Sequence, residues 1–164
     1  MSRYRPPQPK SSPYITRDGY EALRAESEAI WKFRREVTEA LSAAAAEGDR
    51  SENAEYIYRK KQLREIDRRI RYLQKRLPDL KVIETVANRE QVFFTAYVEV
   101  ERGEGVREKY RIVGADEIDP DKNYISVDSP VARALLKCRE GDEVAVQIGD
   151  HLENFEVLSV SYRD

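Results

Sequence analysis

Apolar side chains recur at alternating steps of three and four residues along two long segments in the first half of the chain. The first seam consists of Leu23, Ser27, Ile30, Arg34, Val37, Leu41 and Ala44, and the second of Tyr56, Arg59, Leu63, Ile66, Ile70, Leu73 and Leu77. This spacing is typical of helices that pair along a narrow stripe, as in a coiled coil. Since a short stretch separates the two seams, we expect an antiparallel coiled-coil hairpin.

The predicted ends of these helices carry residues that start or stop a helix. Thr16 can cap the first helix, with Asp18 in its first turn, and Pro78 should end the second because its ring cannot continue a helix. A helix over residues 17–46 would be about 45 Å long. Such a rod is longer than most globular cores need.

After Pro78 the pattern changes to an alternation with a period of two, which predicts strands. We expect them over residues 92–101, 106–114, 124–127, 143–148 and 155–162, with one short helix capped by Ser129 and starting at Pro130. The predicted fold class is α+β, with a helical hairpin over residues 14–78 and a compact domain over residues 79–164. Residues 1–13 are rich in proline and offer little that packs, so we expect a disordered tail.

Composition supports one small domain plus an extended, solvated element, since 40% of the 164 residues are hydrophobic and 37% are charged. No apolar run approaches the roughly 18 residues of a membrane span, and the N-terminus lacks the apolar core of a signal peptide. We therefore expect a cytoplasmic protein without a membrane partner.

Cysteine and histidine are almost absent from the chain. A single cysteine, Cys138, excludes an internal disulfide framework and a multi-cysteine zinc site, and His151 is the only histidine. We expect Cys138 to pack in the core and His151 to lie on the surface in a turn. Metal chemistry in this protein must therefore rest on carboxylates.

Charge is distributed unevenly along the chain. Residues 1–77 contain 18 basic and 12 acidic side chains, a net +6, whereas residues 78–164 contain 11 and 19, a net −8. Five basic residues of the second helix repeat on the side away from its apolar seam: Lys61, Arg64, Arg68, Arg71 and Lys75. A stripe of this kind can follow a phosphate backbone. The alternative is a solvated face balanced by acidic residues across the hairpin.

The stretch between the two seams, residues 48–53, places the carboxylates of Asp49 and Glu52 at the far end of the hairpin. One interpretation is structural, with Asp49 as the N-cap of the second helix and Glu52 as its reciprocal partner. The other is that the two acids share a divalent ion, because Mg²⁺ takes one or two protein carboxylates and keeps its other positions for water and phosphate. A partner would then supply the remaining ligands.

Several motifs follow one another in order: residues 15–20, the tip with its following basic helix over residues 48–56 and 60–69, and residues 111–114, 116–118 and 124–136. Together they resemble the bacterial Gre transcript cleavage factors, and most closely the GreB branch. The resemblance covers nearly everything after residue 13. It implies that the compact domain is FKBP-like, and that the hairpin enters the secondary channel of a backtracked RNA polymerase.

By this resemblance the protein is not itself an enzyme but activates the Mg²⁺-dependent RNA cleavage of the polymerase, so that elongation resumes. Asp49 and Glu52 match the acidic pair that shares a catalytic Mg²⁺ with the polymerase, and Ser51, Asn53 and Tyr56 match the residues that support them. The stripe, extended by Arg59 and Lys60, would contact the 3′ segment of the nascent RNA. Asp128, Ser129 and Pro130 match a loop that contacts the channel rim.

Two other functions remain open at this stage. One is a relative that occupies the same channel and inhibits the polymerase without promoting cleavage, although the presence of both tip acids argues against it. The other is a prolyl isomerase or holdase, supported only by fold analogy. The oligomeric state of the free protein is left open as well.

Overall fold

The computed structural model describes residues 9–48 and 53–163 and has the α+β architecture that the sequence predicts. In chain order the elements are β1 (Tyr14–Ile15), α1 (Arg17–Ala45), α2 (Ala54–Arg76), β2 (Lys81–Val82), β3 (Tyr97–Arg102), β4 (Val106–Val113), β5 (Tyr124–Ser126), α3 (Pro130–Leu135), β6 (Glu143–Ile148) and β7 (His151–Ser161). The chain divides into two compact units, one holding residues 20–80 and the other holding the residues on both sides of that range.

The two long helices form an antiparallel hairpin with the predicted seam at its centre. Val37 of α1 is buried against Ile66 and Ile70 of α2, and Ile30 and Leu63 pack beside them. Asn53 at the start of α2 contacts Ala44 at the end of α1, whereas Arg69 near the end of α2 contacts Glu26 near the start of α1. Contacts that progress in opposite directions along the two helices establish the antiparallel pairing.

Arg34, a polar residue in the first seam, finds a partner on the other helix. Its Nε donates a hydrogen bond of 2.7 Å to Oδ1 of Asp67, and both side chains are about one third exposed. The long apolar stem of arginine can lie along a seam while its head reaches the edge. The interruption of the seam is therefore compatible with helix pairing.

The second unit is built on a five-stranded sheet with the strand order β5-β4-β3-β7-β6. Neighbouring strands are antiparallel except β4 and β5, which are parallel. Its core consists of Val92, Phe94, Ala96, Val98, Val100, Ile112, Ala132, Leu135, Cys138, Val146, Phe155 and Val157. Helix α3 lies against β6, and Ser129 caps it by accepting a hydrogen bond of 3.2 Å from the Ala132 amide, as predicted.

Two strand boundaries were predicted wrongly. Strand β3 begins at Tyr97 rather than at residue 92, because the chain turns at Thr95, where φ is +77°. Val92 instead exchanges backbone hydrogen bonds with the segment after α3, at 2.8 and 2.7 Å. Strand β7 begins at His151 rather than at residue 155, so His151 opens a strand instead of lying in a turn.

The segment before α1 belongs to the sheet unit, which corrects the predicted domain boundary at residue 14. Strands β1 and β2 pair in parallel, and the carbonyl of Pro13 accepts a hydrogen bond of 2.7 Å from the Lys81 amide. Ser12, within the predicted tail, donates through its amide to the Asp128 carboxylate at 2.8 Å. Residues 1–8 of the predicted tail lie outside the described residues.

The start of α1 is fixed by a carboxylate from the sheet unit. Thr16 is the N-cap, as predicted, since its Oγ1 accepts a hydrogen bond of 3.1 Å from the Gly19 amide. The Glu117 carboxylate accepts hydrogen bonds from the amides of Thr16 and Gly114, at 3.1 and 2.8 Å, and also from the Thr16 hydroxyl. A Cβ on Gly114 would come within 2.2 Å of the Tyr14 carbonyl oxygen, so glycine is required there.

Among the described helices, none combines the length and apolarity that crossing a bilayer needs.

Candidate functional site

The far end of the hairpin is organised by the amide side chain of Asn53. Asn53 is the N-cap of α2, with Oδ1 accepting a hydrogen bond of 3.0 Å from the Tyr56 amide. Its Nδ2 donates a hydrogen bond of 2.7 Å to the carbonyl of Ala44, in the last turn of α1. One side chain therefore caps one helix and ties it to the other. Asp49, Ser51 and Glu52 lie outside the described residues.

This cap overturns the structural interpretation of the acidic pair. The capping box would have placed the N-cap of α2 at Asp49, but α2 begins at Ala54 and Asn53 occupies the cap position. A helix carries only one N-cap, and the one here is already satisfied. The start of α2 therefore does not require the carboxylates of Asp49 and Glu52.

Tyr56, predicted to support the tip, is half-buried in the first turn of α2. The Lys60 ammonium lies 5.8 Å from the centre of its ring, within the range of a cation–π contact. Within residues 9–48 and 53–163, no group of three or more histidine, cysteine, aspartate or glutamate side chains could hold a metal ion.

All five residues of the predicted basic stripe, Lys61, Arg64, Arg68, Arg71 and Lys75, are exposed. From the first to the last, the stripe extends over about 21 Å of helix. None of the five forms an ion pair with another described residue. Arg59 differs from them, because its guanidinium donates to Glu55 at 2.8 Å and to Gln62 at 3.0 Å.

Two acidic residues, one on each helix, pair across the hairpin, but with basic residues outside the stripe. Glu26 accepts two hydrogen bonds from Arg69, at 2.6 and 2.9 Å, and the hydrogen bond with Arg69 lowers the pKa of the Glu26 carboxyl. Asp67 pairs with Arg34. These two cross-hairpin pairs lie beside the seam and leave the stripe unbalanced, which disfavours the solvated-face alternative.

The residues matched to a rim-contacting loop also have roles inside the protein. The Asp128 carboxylate accepts hydrogen bonds from the amide and hydroxyl of Ser12. Ser129 caps α3, and Pro130, the first residue of that helix, is exposed. The fold therefore holds this loop in a fixed conformation and presents Pro130 to solvent.

Neither Cys138 nor His151 forms a catalytic constellation. Cys138 is buried in the core, as predicted, and burial raises the pKa of its thiol. His151 is exposed, as predicted, with Nε2 4.0 Å from a carboxylate oxygen of Glu153. A structural role that the sequence did not reveal is that of Glu117, whose carboxylate accepts hydrogen bonds from the N-cap residue Thr16 and from Gly114.

Comparisons with known proteins match both parts of the chain. The model of the N-terminal domain of the transcription elongation factors matches residues 13–82, and the model of the C-terminal domain of GreA/GreB matches residues 87–162. Transcription elongation factor GreB of Xanthomonas axonopodis pv. citri is 55% identical over 99% of this chain and 98% of its own length. That of Pseudomonas aeruginosa is 51% identical over the same shares.

Among solved structures, GreA factor homolog 1 of Thermus thermophilus aligns with 90% of this chain and 97% of its own, at 25% identity and a TM-score of 0.40. The family models together cover most of the chain, and the relatives at 51–55% identity span nearly all of it. The chain therefore belongs to the GreA/GreB family of transcription elongation factors and is of the GreB type.

Proposed function

We propose that this elongation factor rescues backtracked RNA polymerase by stimulating the RNA cleavage that the polymerase itself performs. In this proposal the hairpin enters the secondary channel, and its acidic tip reaches the active centre. The factor is not an enzyme alone, because it contributes only part of a catalytic site. Bacterial transcription takes place in the cytoplasm, which is where we place the protein.

The observation that carries the proposal is the capping of α2 by Asn53. Because Asn53 satisfies the start of the helix, capping does not account for an Asp and a Glu at the end of a hairpin whose first helix is 29 residues long. The described residues on both sides of the tip are joined by the Asn53 to Ala44 hydrogen bond, which gives the tip a defined base. A rigid base is what a donated catalytic group needs.

The donor chemistry of the two acids fits Mg²⁺, which prefers oxygen ligands and is often bound by one or two carboxylates. In this proposal Asp49 and Glu52 would hold the ion together with carboxylates of the polymerase. When bound, this ion would supply the water that attacks the RNA, while a second ion held by the polymerase would steady the leaving oxygen. Ser51, Asn53 and Tyr56 would keep the two carboxylates oriented.

Two further surfaces support a polymerase partner. The unpaired basic stripe on α2 suits the extruded 3′ segment of the nascent RNA, which would run beside the hairpin. The loop of Asp128, Ser129 and Pro130, held by Ser12 and by the capped α3, would contact the rim of the channel.

The test replaces both tip acids in the full chain, as Asp49→Ala with Glu52→Ala, and measures RNA cleavage in stalled, backtracked elongation complexes. We expect stimulated cleavage to fall by more than about 100-fold, since even the outer partners of metal ligands contribute about 10- to 100-fold. Polymerase binding, measured separately by competition with labelled wild-type protein, should stay near normal.

Glu47→Ala is the matched control, because Glu47 is an exposed acid two residues from Asp49. It should leave cleavage unchanged. A double variant that still cleaves would remove the metal-donor role, and inhibition by the wild-type protein would favour the channel-blocking alternative. An isomerase assay on a proline peptide, run in parallel, addresses the remaining alternative.

A further inference from the structure

A row of alternating aromatic and cationic side chains crosses one face of the sheet. Strand register places Tyr97 of β3 opposite Arg111 of β4, and Arg111 opposite Tyr124 of β5. The Arg111 guanidinium lies 5.0 Å from the centre of the Tyr97 ring and 5.2 Å from that of Tyr124. Arg163, two residues after β7, lies 4.5 Å from the Tyr97 ring. Two guanidinium groups therefore contact the same aromatic ring.

These four side chains, which we call the arginine cleft, line two adjoining cavities of about 390 and 380 Å³. Tyr97 is buried and Arg111 is half-buried, whereas Arg163 is exposed at the mouth. The cleft is therefore open to a ligand from solvent, and its rings fix the positions of two cations that would otherwise be mobile.

Arg111 has a donor without an acceptor. Its Nε atom is buried and forms no hydrogen bond with any described residue. Ring faces attract the charge of a guanidinium but do not replace a hydrogen-bond acceptor. Buried polar atoms in folded proteins are almost always paired, so the described residues leave the hydrogen bonding of this guanidinium incomplete.

The electrostatic surroundings of the cleft favour an anion. Arg17 beside it is already paired with Glu84 at 2.7 Å, and Lys122 lies 3.9 Å from Asp119. The other charged groups that line the two cavities are three cations, Lys109, Arg111 and Arg163, and two anions, Asp18 and Asp121, so positive charge is in excess. A hydrogen bond with Tyr97 makes the largest contribution to lowering the pKa of the Tyr124 phenol. The positive charges of Arg111 and Lys122 lower this pKa further.

The size and sign of the charge in the rest of the domain limit the class of anion. Residues 78–164 have a net charge of −8, so a long polyanion such as RNA or DNA would be repelled by the domain as a whole. A single carboxylate entering a local cationic cleft avoids most of that repulsion, since exposed charges farther away than about 8–10 Å are screened by salt. Guanidinium groups match the planar geometry of carboxylates.

We propose that the arginine cleft is a carboxylate-binding site, in which Arg111 and Arg163 bind an aspartate or glutamate side chain of a protein partner. The terminal nitrogens of the two guanidinium groups donate to the carboxylate oxygens, next to the buried Nε atom of Arg111. This site lies on the sheet unit. Its test uses the isolated protein, so the result does not depend on whether the proposed cleavage function is correct.

The experiment titrates isotope-labelled full-length protein with a blocked tetraglutamate peptide and follows the Nε–H signal of Arg111 by nuclear magnetic resonance. We expect this signal to move with tetraglutamate and to stay in place with tetraglutamine, its neutral counterpart. Arg163→Gln should weaken the binding of tetraglutamate by about tenfold, as expected for the loss of a charged hydrogen bond. Its folding is checked by thermal unfolding.

Arg107→Gln is the matched control, since Arg107 lies on the same strand and the same face as Arg111, about 14 Å away. It should bind tetraglutamate as the wild type does. A second variant, Arg111→Gln, removes a cation that is held between two rings. If that variant unfolds, Arg163→Gln alone carries the test. An unmoved Nε–H signal, or equal binding by the Arg163 and Arg107 variants, would overturn the proposal. So would inorganic phosphate or oligothymidylate moving the signal at a lower concentration than the peptide.

Discussion

The side-chain amide of Asn53 shows how one residue can settle a question that its sequence context leaves open. Asp, Asn and Ser are all good N-caps, and an Asp followed three residues later by a Glu is the usual capping pattern. In the structure Asn53 caps α2 and also donates to Ala44 of the other helix. The second bond depends on the approach of two helices, which no local pattern encodes.

Glu117 is the residue whose removal should most clearly loosen the start of α1. Its carboxylate accepts hydrogen bonds from Thr16, which is buried, and from the amide of Gly114. Glu117→Ala would leave these donors without an acceptor. We expect the free energy of unfolding to fall by about 1–3 kcal/mol, measured by urea denaturation at neutral pH.

Glu104→Ala serves as the control for Glu117→Ala, because Glu104 is exposed in the turn between β3 and β4. Its unfolding free energy should stay within about 0.5 kcal/mol of the wild type. Equal unfolding midpoints for both variants would show that the carboxylate of Glu117 contributes little to the attachment of α1.

At the scale of elements, the helices could be predicted because their signal is local. The alternating three- and four-residue spacing and the cap at Thr16 specified α1 to within one residue of its observed end at Ala45. The position of the basic stripe away from the seam followed from the same periodicity, and its positive charge followed from the residue types. All five of its residues are exposed.

The two-residue strands β1 and β2 could not be predicted, because their cause is not local. Strand β1 has two residues and pairs with β2 after the whole hairpin has intervened, so no alternating pattern announces it. Residues 92–96 are apolar enough to suggest a strand, but they serve the core as irregular chain. The arginine cleft was also missed, since it arises from the register of three strands and the return of β7.

The pairing of α1 with α2 should depend on pH through Glu26. Arg69 lowers the pKa of the Glu26 carboxyl below its ordinary value of 4.5, so the pair adds stability above that value and loses it as the pH falls through the lowered pKa. Glu26→Gln should therefore destabilise the hairpin at neutral pH, by no more than about 1 kcal/mol because both side chains are partly exposed.

The difference between Glu26→Gln and the wild type should vanish in acid, as followed by thermal unfolding with circular dichroism across that pH range. Glu28→Gln is the control, because the Glu28 carboxylate lies 4.0 Å from Arg24 on the same helix and both side chains are well exposed. A Glu26 variant whose deficit persists in acid would point to lost packing rather than to the ion pair.

At the scale of the whole molecule, the charge asymmetry makes the two parts of the sequence suited to different kinds of partner. The first 77 residues have a net charge of +6 and contain an unpaired basic stripe, whereas the remainder has a net charge of −8 and contains one cationic cleft. A polyanion is attracted to the first part and repelled by the second. The proposed RNA contact and the proposed protein contact should therefore be separable by mutation.

The stripe should matter most when the extruded RNA is long. A deeply backtracked complex exposes more RNA beside the hairpin, so Arg64→Glu with Arg68→Glu should reduce RNA cleavage progressively with backtrack depth. For single strands, each phosphate contact that is lost should also make the plot of the logarithm of the binding constant against the logarithm of the salt concentration less steep, by about 0.7.

Lys32→Glu with Arg35→Glu makes the same change in charge at exposed residues of α1 and is the control. Cleavage assays on complexes of defined backtrack depth compare the two variants, and an equal loss at every depth would argue against RNA contact.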